Sequence, residues 1–185
     1  MSIIFTLLEE QPFLILPTDF LGWCGLVGWL GVIGYLIYLW RGFHKPLTSK
    51  NRLLFVFLVF MVPLTSLFIG ARLPVWNKLP LPDVTITPTG QAVMFFSSAP
   101  WVLAAGLLGP LPAAILAAFS GLVLTFWDTH SLYTVLEMMF LAVLLSASWG
   151  QRYRTLIYKG LRQPILALIF LTFIYPLIFT INFYD

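Results

Sequence analysis

The stretch Trp101 to His130, WVLAAGLLGPLPAAILAAFSGLVLTFWDTH, allows this chain few folds. Two apolar runs meet at Gly109-Pro110-Leu111-Pro112. That joint is too short for anything but a tight reversal between antiparallel helices. Proline is tolerated in the first turn of a helix, where its missing N–H has no acceptor to lose, so Pro112 can open the second run. That run carries Ala113, Ala117 and Gly121 on one stripe, widened by Ala114 and Ala118. Small residues four apart let helix backbones approach closely in a bilayer, where packing replaces the hydrophobic drive. The spacing therefore predicts a tightly packed hairpin with its second helix buried. It opens on the polar cluster Trp127-Asp128-Thr129-His130.

Such a hairpin needs a bilayer around it, and the rest of the chain supplies the composition. Hydrophobic residues make up 60% and charged residues 9%, which excludes an ordinary soluble domain. A mean hydropathy of +0.95 points the same way. Spans of about 20 residues use nearly all of the 185 available. The single cysteine, Cys24, excludes a disulfide framework or a Cys-based metal site within one chain.

Residues 1–19 are broken by Glu9, Glu10, Pro12 and Pro17 and have no basic start, so they read as an interfacial segment rather than a signal peptide. The first predicted span is Phe20–Trp40, with Gly22, Gly25, Gly28, Gly31 and Gly34 every three residues. These glycines leave nearly one face of bare backbone, which reads as a close helix contact or as a ligand or partner groove. The second is Leu53 to Gly70 with a kink at Pro63. Pro74, Pro80, Pro82 and Pro88 stiffen the connection that follows. A third span is predicted over 90–108, a short fourth over Pro112–Phe126, a fifth over Leu132–Trp149 and a sixth over 164–181.

The fold class that results is an all-α integral membrane protein, a six-helix bundle over 20–185 in the cell's inner (plasma) membrane. Arg41, Lys45, Lys50 and Arg52 lie in one connection, and Arg152, Arg154, Lys159 and Arg162 in another. With six spans both fall on one side, leaving only Arg72 and Lys78 opposite. Basic loops stay on the cytoplasmic side, so both termini are predicted to be external.

Glu137 is the only ionisable residue inside a predicted span, about one and a half turns below the outer surface. Intramembrane acids are costly and usually face a cavity or a partner. A hydrogen-bonded structural glutamate near the interface is the alternative reading. Tyr133 precedes it by one turn on the same face, and Asp128 and His130 stand at the mouth. Arg72 and Trp76, in the long outer loop, are placed to lean over them. The six together make a candidate site for a small polar or cationic ligand, with acids as counter-charges and aromatics as walls. His44 falls on the opposite side from His130, so no metal is assigned. No H-E-x-x-H, G-x-S-x-G or phosphate-binding loop is present, and neither catalytic residues nor a cofactor are expected.

The segment GLLGPLPAAILAAFSGL, the W-D-T-H mouth, the Glu-bearing helix and QRYRTLIYKGLRQP together resemble the N-terminal multi-span sensor region of bacterial histidine kinases with GAF-type domains, chiefly Chloroflexi-like. The arrangement is more distantly similar to the five-helix module of LytS-type kinases and to substrate-binding S components of ECF transporters. The resemblance spans roughly 90–176 and implies the sensing part of a signalling protein. A transporter S component and a structural subunit of a larger membrane complex are the alternatives. The expected partners are the bilayer, a small polar ligand, and other membrane subunits or a second copy packed through small-residue faces. Nucleic acid is not among them.

The charge asymmetry makes the topology testable. A cysteine at position 83 should react with an impermeant thiol reagent from outside, and one at position 48 only after permeabilisation. The reverse pattern would overturn the orientation.

Overall fold

The computed structural model describes residues 14–40, 48–72, 92–151 and 156–182. About 80% of these are helical, in seven helices with one two-stranded ribbon. In chain order they are α1 (Phe20–Leu39), α2 (Ser49–Leu67), β1 (Gly70–Arg72), β2 (Ala92–Met94), α3 (Ala99–Leu107), α4 (Pro110–Leu124), α5 (Tyr133–Gly150), α6 (Leu156–Leu161) and α7 (Pro164–Asn182). A single π-helical turn, Thr125–Thr129, extends α4. Among the described residues, four helical stretches are long and apolar enough to cross a membrane: Phe20–Leu39, Ser49–Leu67, Pro110–Thr129 and Tyr133–Gly150.

The reversal between α3 and α4 is as tight as its sequence demands. Gly109 takes φ 103°, a conformation that L side chains resist, and Pro110 opens α4 two residues before the expected Pro112. The amides of Leu108 and Gly109 both donate to the carbonyl of Ala104, at 2.8 and 3.1 Å, and so close the end of α3.

α4 forms the centre of the bundle. Ala113, Ala114, Leu116, Ala117 and Ser120 are all inaccessible or nearly so. α5 packs against it antiparallel. At one end a Cβ on Gly121 would lie 2.7 Å from the Cα of Val135, closer than real side chains come. Further along, Ala114 and Val143 share one buried cluster. The small-residue stripe therefore does what bilayer packing asks of it: it admits a neighbour's backbone.

α5 in turn carries other helices. α1 runs parallel to it, since the Tyr133 hydroxyl donates to the Gly22 carbonyl at 2.8 Å and Trp29 meets Phe140 edge-on at 5.1 Å. α3 lies along its far half, where the Ser146 hydroxyl donates to the Ala105 carbonyl at 3.0 Å and Trp149 lies over Gly106. α7 returns antiparallel. The Arg162 Nε just before it donates to the Gln151 carbonyl at 2.9 Å, and further along Ala167 and Leu171 join the core that includes Leu141 and Leu145.

The structure departs from two sequence expectations. The third span, expected over 90–108, is helical only over Ala99–Leu107. Before it come a strand paired with β1 and a turn at 95–98. Pro100 fits only the first turn of a helix, so the helix starts there. Non-helical backbone at membrane depth is tolerated only where protein satisfies it. Ser120, at the middle of the Pro110–Thr129 span, donates to the Ser97 carbonyl at 2.8 Å and lies 3.3 Å from the Ser66 hydroxyl of α2.

The second departure is the glycine face of α1. Three residues advance a helix by about 300°, so glycines at that spacing wind around it instead of lining up. A Cβ on Gly22 would meet Pro17 and one on Gly25 the Tyr133 hydroxyl, while one on Gly28, Gly31 or Gly34 would meet nothing within 4 Å beyond the helix's own turns among the described residues.

The contrast sets a test of the packing. Gly121→Ala should lower the thermal midpoint in detergent, and Ala117→Leu should cost roughly 1–3 kcal/mol by overpacking. Gly31→Ala should leave the midpoint unchanged or raise it, because a helix interior favours Ala over Gly. Equal midpoints for all three would contradict a buried α4.

Candidate functional site

Four of the six expected site residues, Asp128, His130, Tyr133 and Glu137, lie where α4 passes into α5. The π-helical turn 125–129 carries Asp128, and His130 ends it in the left-handed region at φ 57°. Polar side chains hold this reversal from within. The Thr125 hydroxyl donates to the Ser131 carbonyl at 2.9 Å, and the Thr134 hydroxyl donates to that of Thr129 at 2.7 Å. The amide of Tyr133 donates to the Ser131 hydroxyl oxygen at 3.3 Å. From outside, the amide of Ile15 donates to the His130 carbonyl at 2.9 Å. A π-turn inserts one extra residue per turn and is frequent at functional sites. Here it precedes the first turns of α5, which bear Tyr133 and Glu137.

Glu137 is 6% exposed, which makes it a buried acid near the head of an apolar helix. Asp128 and His130 are half-buried. The Tyr175 hydroxyl of α7 lies within Coulombic reach of both Glu137 and Asp128. Three elements thus bring two carboxyls and a phenol to one region of the bundle: the turn after α4, the first turns of α5, and α7. Carboxylates accept hydrogen bonds and attract cations, and a phenol can donate as well as accept. Such a set suits a small cation or a ligand rich in N–H groups.

Tyr133 belongs to a different neighbourhood. Four residues advance a helix by about 400°, so Tyr133 and Glu137 sit about 40° apart on α5. α1 and α7 flank α5 on its two sides, and the difference divides the pair between them: Tyr133 bonds to Gly22 of α1, and Glu137 interacts with Tyr175 of α7. A cleft of about 350 Å³ opens on the α1 side, between the extended segment Ile15–Asp19 and the start of α5. Tyr133 lines it, and Asp128, His130 and Glu137 do not.

Arg72 ends β1, paired in register with Ala92, and its side chain lies outside the described part of the structure. Trp76 lies outside the described residues, as does nearly all of the 71–89 loop expected to roof the site. Segment 15–19 approaches the mouth instead, through the Ile15–Ser131 bridge. Tyr175 was not anticipated. Its one sequence signal is a phenol preceding Pro176 in an otherwise apolar run.

No family profile, characterised protein or solved structure matches the chain.

Proposed function

We propose that the chain is a six-span membrane module with both termini external, and that it senses or binds a small ligand for a signalling protein. The ligand class is a small organic cation, held near the outer surface by Glu137 and Asp128 with Tyr175 beside them. The observation that carries this reading is the burial of Glu137 in the first turns of α5, with Asp128 in the turn before it and Tyr175 on the helix α7 that packs along α5. A buried acid in an apolar bundle is costly unless a partner or ligand compensates its charge. The six-span count draws support from the helix directions. α1 and α5 run parallel, α4 and α7 run antiparallel to α5, and the β1–β2 ribbon turns the chain from α2 into α3. Alternation then continues even though α3 is short, and the two basic connections fall together on the inner side. Arg72 and Trp76 belong to the outer side in this arrangement.

One observation favours a second reading, a subunit of a larger membrane assembly. Along α1 only Gly22 and Ile33 are buried, and Gly28, Gly31 and Gly34 are open to a helix from another chain.

Purified protein in detergent should show a raised thermal midpoint with at least one of choline, spermidine or arginine, and none with succinate. Glu137→Gln should weaken that binding by about tenfold or more, the effect of losing one charge pair, while expression persists because the amide keeps the shape. Absence of any cation effect, or an effect that survives both Glu137→Gln and Asp128→Asn, would remove the ligand reading and leave the assembly reading.

A further inference from the structure

We propose that the cleft at the head of α1 and α5 seats the headgroup of an aminophospholipid of the phosphatidylethanolamine type, drawn from the leaflet that meets this end of the bundle. The cleft is separate from the acid–tyrosine cluster and needs only that α1 and α5 cross the bilayer. Its volume of about 350 Å³ falls within the range of small-ligand sites, roughly 300–1,000 Å³.

Position is the first argument. α1 and α5 run parallel and both begin beside the cleft, so it lies where two apolar helices leave the hydrocarbon. Ile15, Leu16 and Leu21 line it, 62%, 50% and 76% exposed. Exposed apolar side chains in a cleft that also carries Asp19 and Ser131 match the boundary between acyl chains and headgroups.

The second argument is the distribution of charge and hydrogen-bonding capacity. Asp19 occupies the N-cap of α1, yet its side chain makes no capping hydrogen bond. An N-cap aspartate ordinarily accepts from the amides of the first turn. Asp19 lines the cleft, and its carboxylate, not engaged in that cap, is available to a primary ammonium. Leu21 and Gly22 also line the cleft; their amides, in the first turn of α1, have no intrahelical acceptor, and the positive end of the helix dipole adds to them. Those groups suit a phosphate. The Ser131 hydroxyl oxygen accepts from the Tyr133 amide, so its proton remains to be donated to the same phosphate. Tyr133, tied to Gly22, forms a fixed wall. Negative charge on one side and unused donors on the other describe a zwitterion. Asp19 disfavours an anionic headgroup that has no amine.

The test uses the full chain, purified in detergent and stripped of lipid, with binding followed by native mass spectrometry. Phosphatidylethanolamine should bind about tenfold more tightly than phosphatidylglycerol, the difference one ion pair makes. Asp19→Asn should abolish that preference. Thr18→Lys should do the same, by setting a cation where the ammonium goes; Thr18 is exposed, so the fold should tolerate it. Soluble phosphoethanolamine, lacking acyl chains, should bind far more weakly than the lipid. Equal binding of the two lipids to the unaltered protein would overturn the proposal. A preference that survives both variants would do so too, as would soluble phosphoethanolamine binding as tightly as the lipid. The cation screen on Glu137 does not touch this cleft, so either reading can fail alone.

Discussion

Everything else in this bundle hangs on the contact between Gly121 of α4 and the backbone of Val135 in α5. Lipid tails are as apolar as leucine, so helices in a bilayer gain little from hiding apolar surface against each other. They associate by packing, and packing is closest where one helix has no side chain to hold its neighbour off. The 2.7 Å that would separate a Cβ on Gly121 from the Cα of Val135 marks such a place. α5 is thereby held along α4, and it carries α1, α3 and α7 on its remaining faces. Weakening that one approach would loosen α5, and with it α1 and α7, from the core.

The same approach sets the strain at the mouth. Two helices this close must be joined by a short connection, and the chain meets the demand with a π-turn and a left-handed His130. Hydroxyls from Thr125, Thr134 and Ser131 take up backbone and side-chain groups that the irregular turn would otherwise leave bare. At mid-depth Ser120 does the same for the Ser97 carbonyl, where α3 starts late. The irregular backbone at these places is thus answered by small hydroxyl side chains, and the described carboxyls, Asp19, Asp128 and Glu137, lie toward one end of the bundle. There Glu137 is buried and Asp128 half-buried, with Tyr175 of α7 within Coulombic reach of both.

Much of this was legible in the residues. Gly109-Pro110 has few conformations open to it, and a stripe of alanines capped by Gly121 has one purpose in a bilayer. Helix ends at Phe20, Leu67 and Gly150 fall within a few residues of where hydropathy and charge put them. The failures came from geometry that hydropathy does not carry. Apolar residues before Pro100 look like part of a span, and only the Ser97–Ser120 and β1–β2 pairings reveal otherwise. Glycines three apart look aligned on paper and wind around the helix in space. Tyr133 and Glu137 share a face by spacing, but spacing does not reveal that Tyr133 is tied to Gly22 of α1. Tyr175, some forty residues from the acids, enters their neighbourhood only once α7 folds back along α5.

The central claim is that α5 and α7 bring Glu137 and Tyr175 together within the membrane-embedded bundle. Replacing both with cysteine, in a chain whose Cys24 has been changed to serine, allows this to be measured directly in native membranes. Treatment with a short bifunctional thiol reagent should link the two positions within one chain, detected as the joined peptides after digestion. The lipid-facing pair Leu122 and Phe173, 40% and 74% exposed, should stay unlinked within the chain. Linkage of the control pair with none between 137 and 175 would contradict the account.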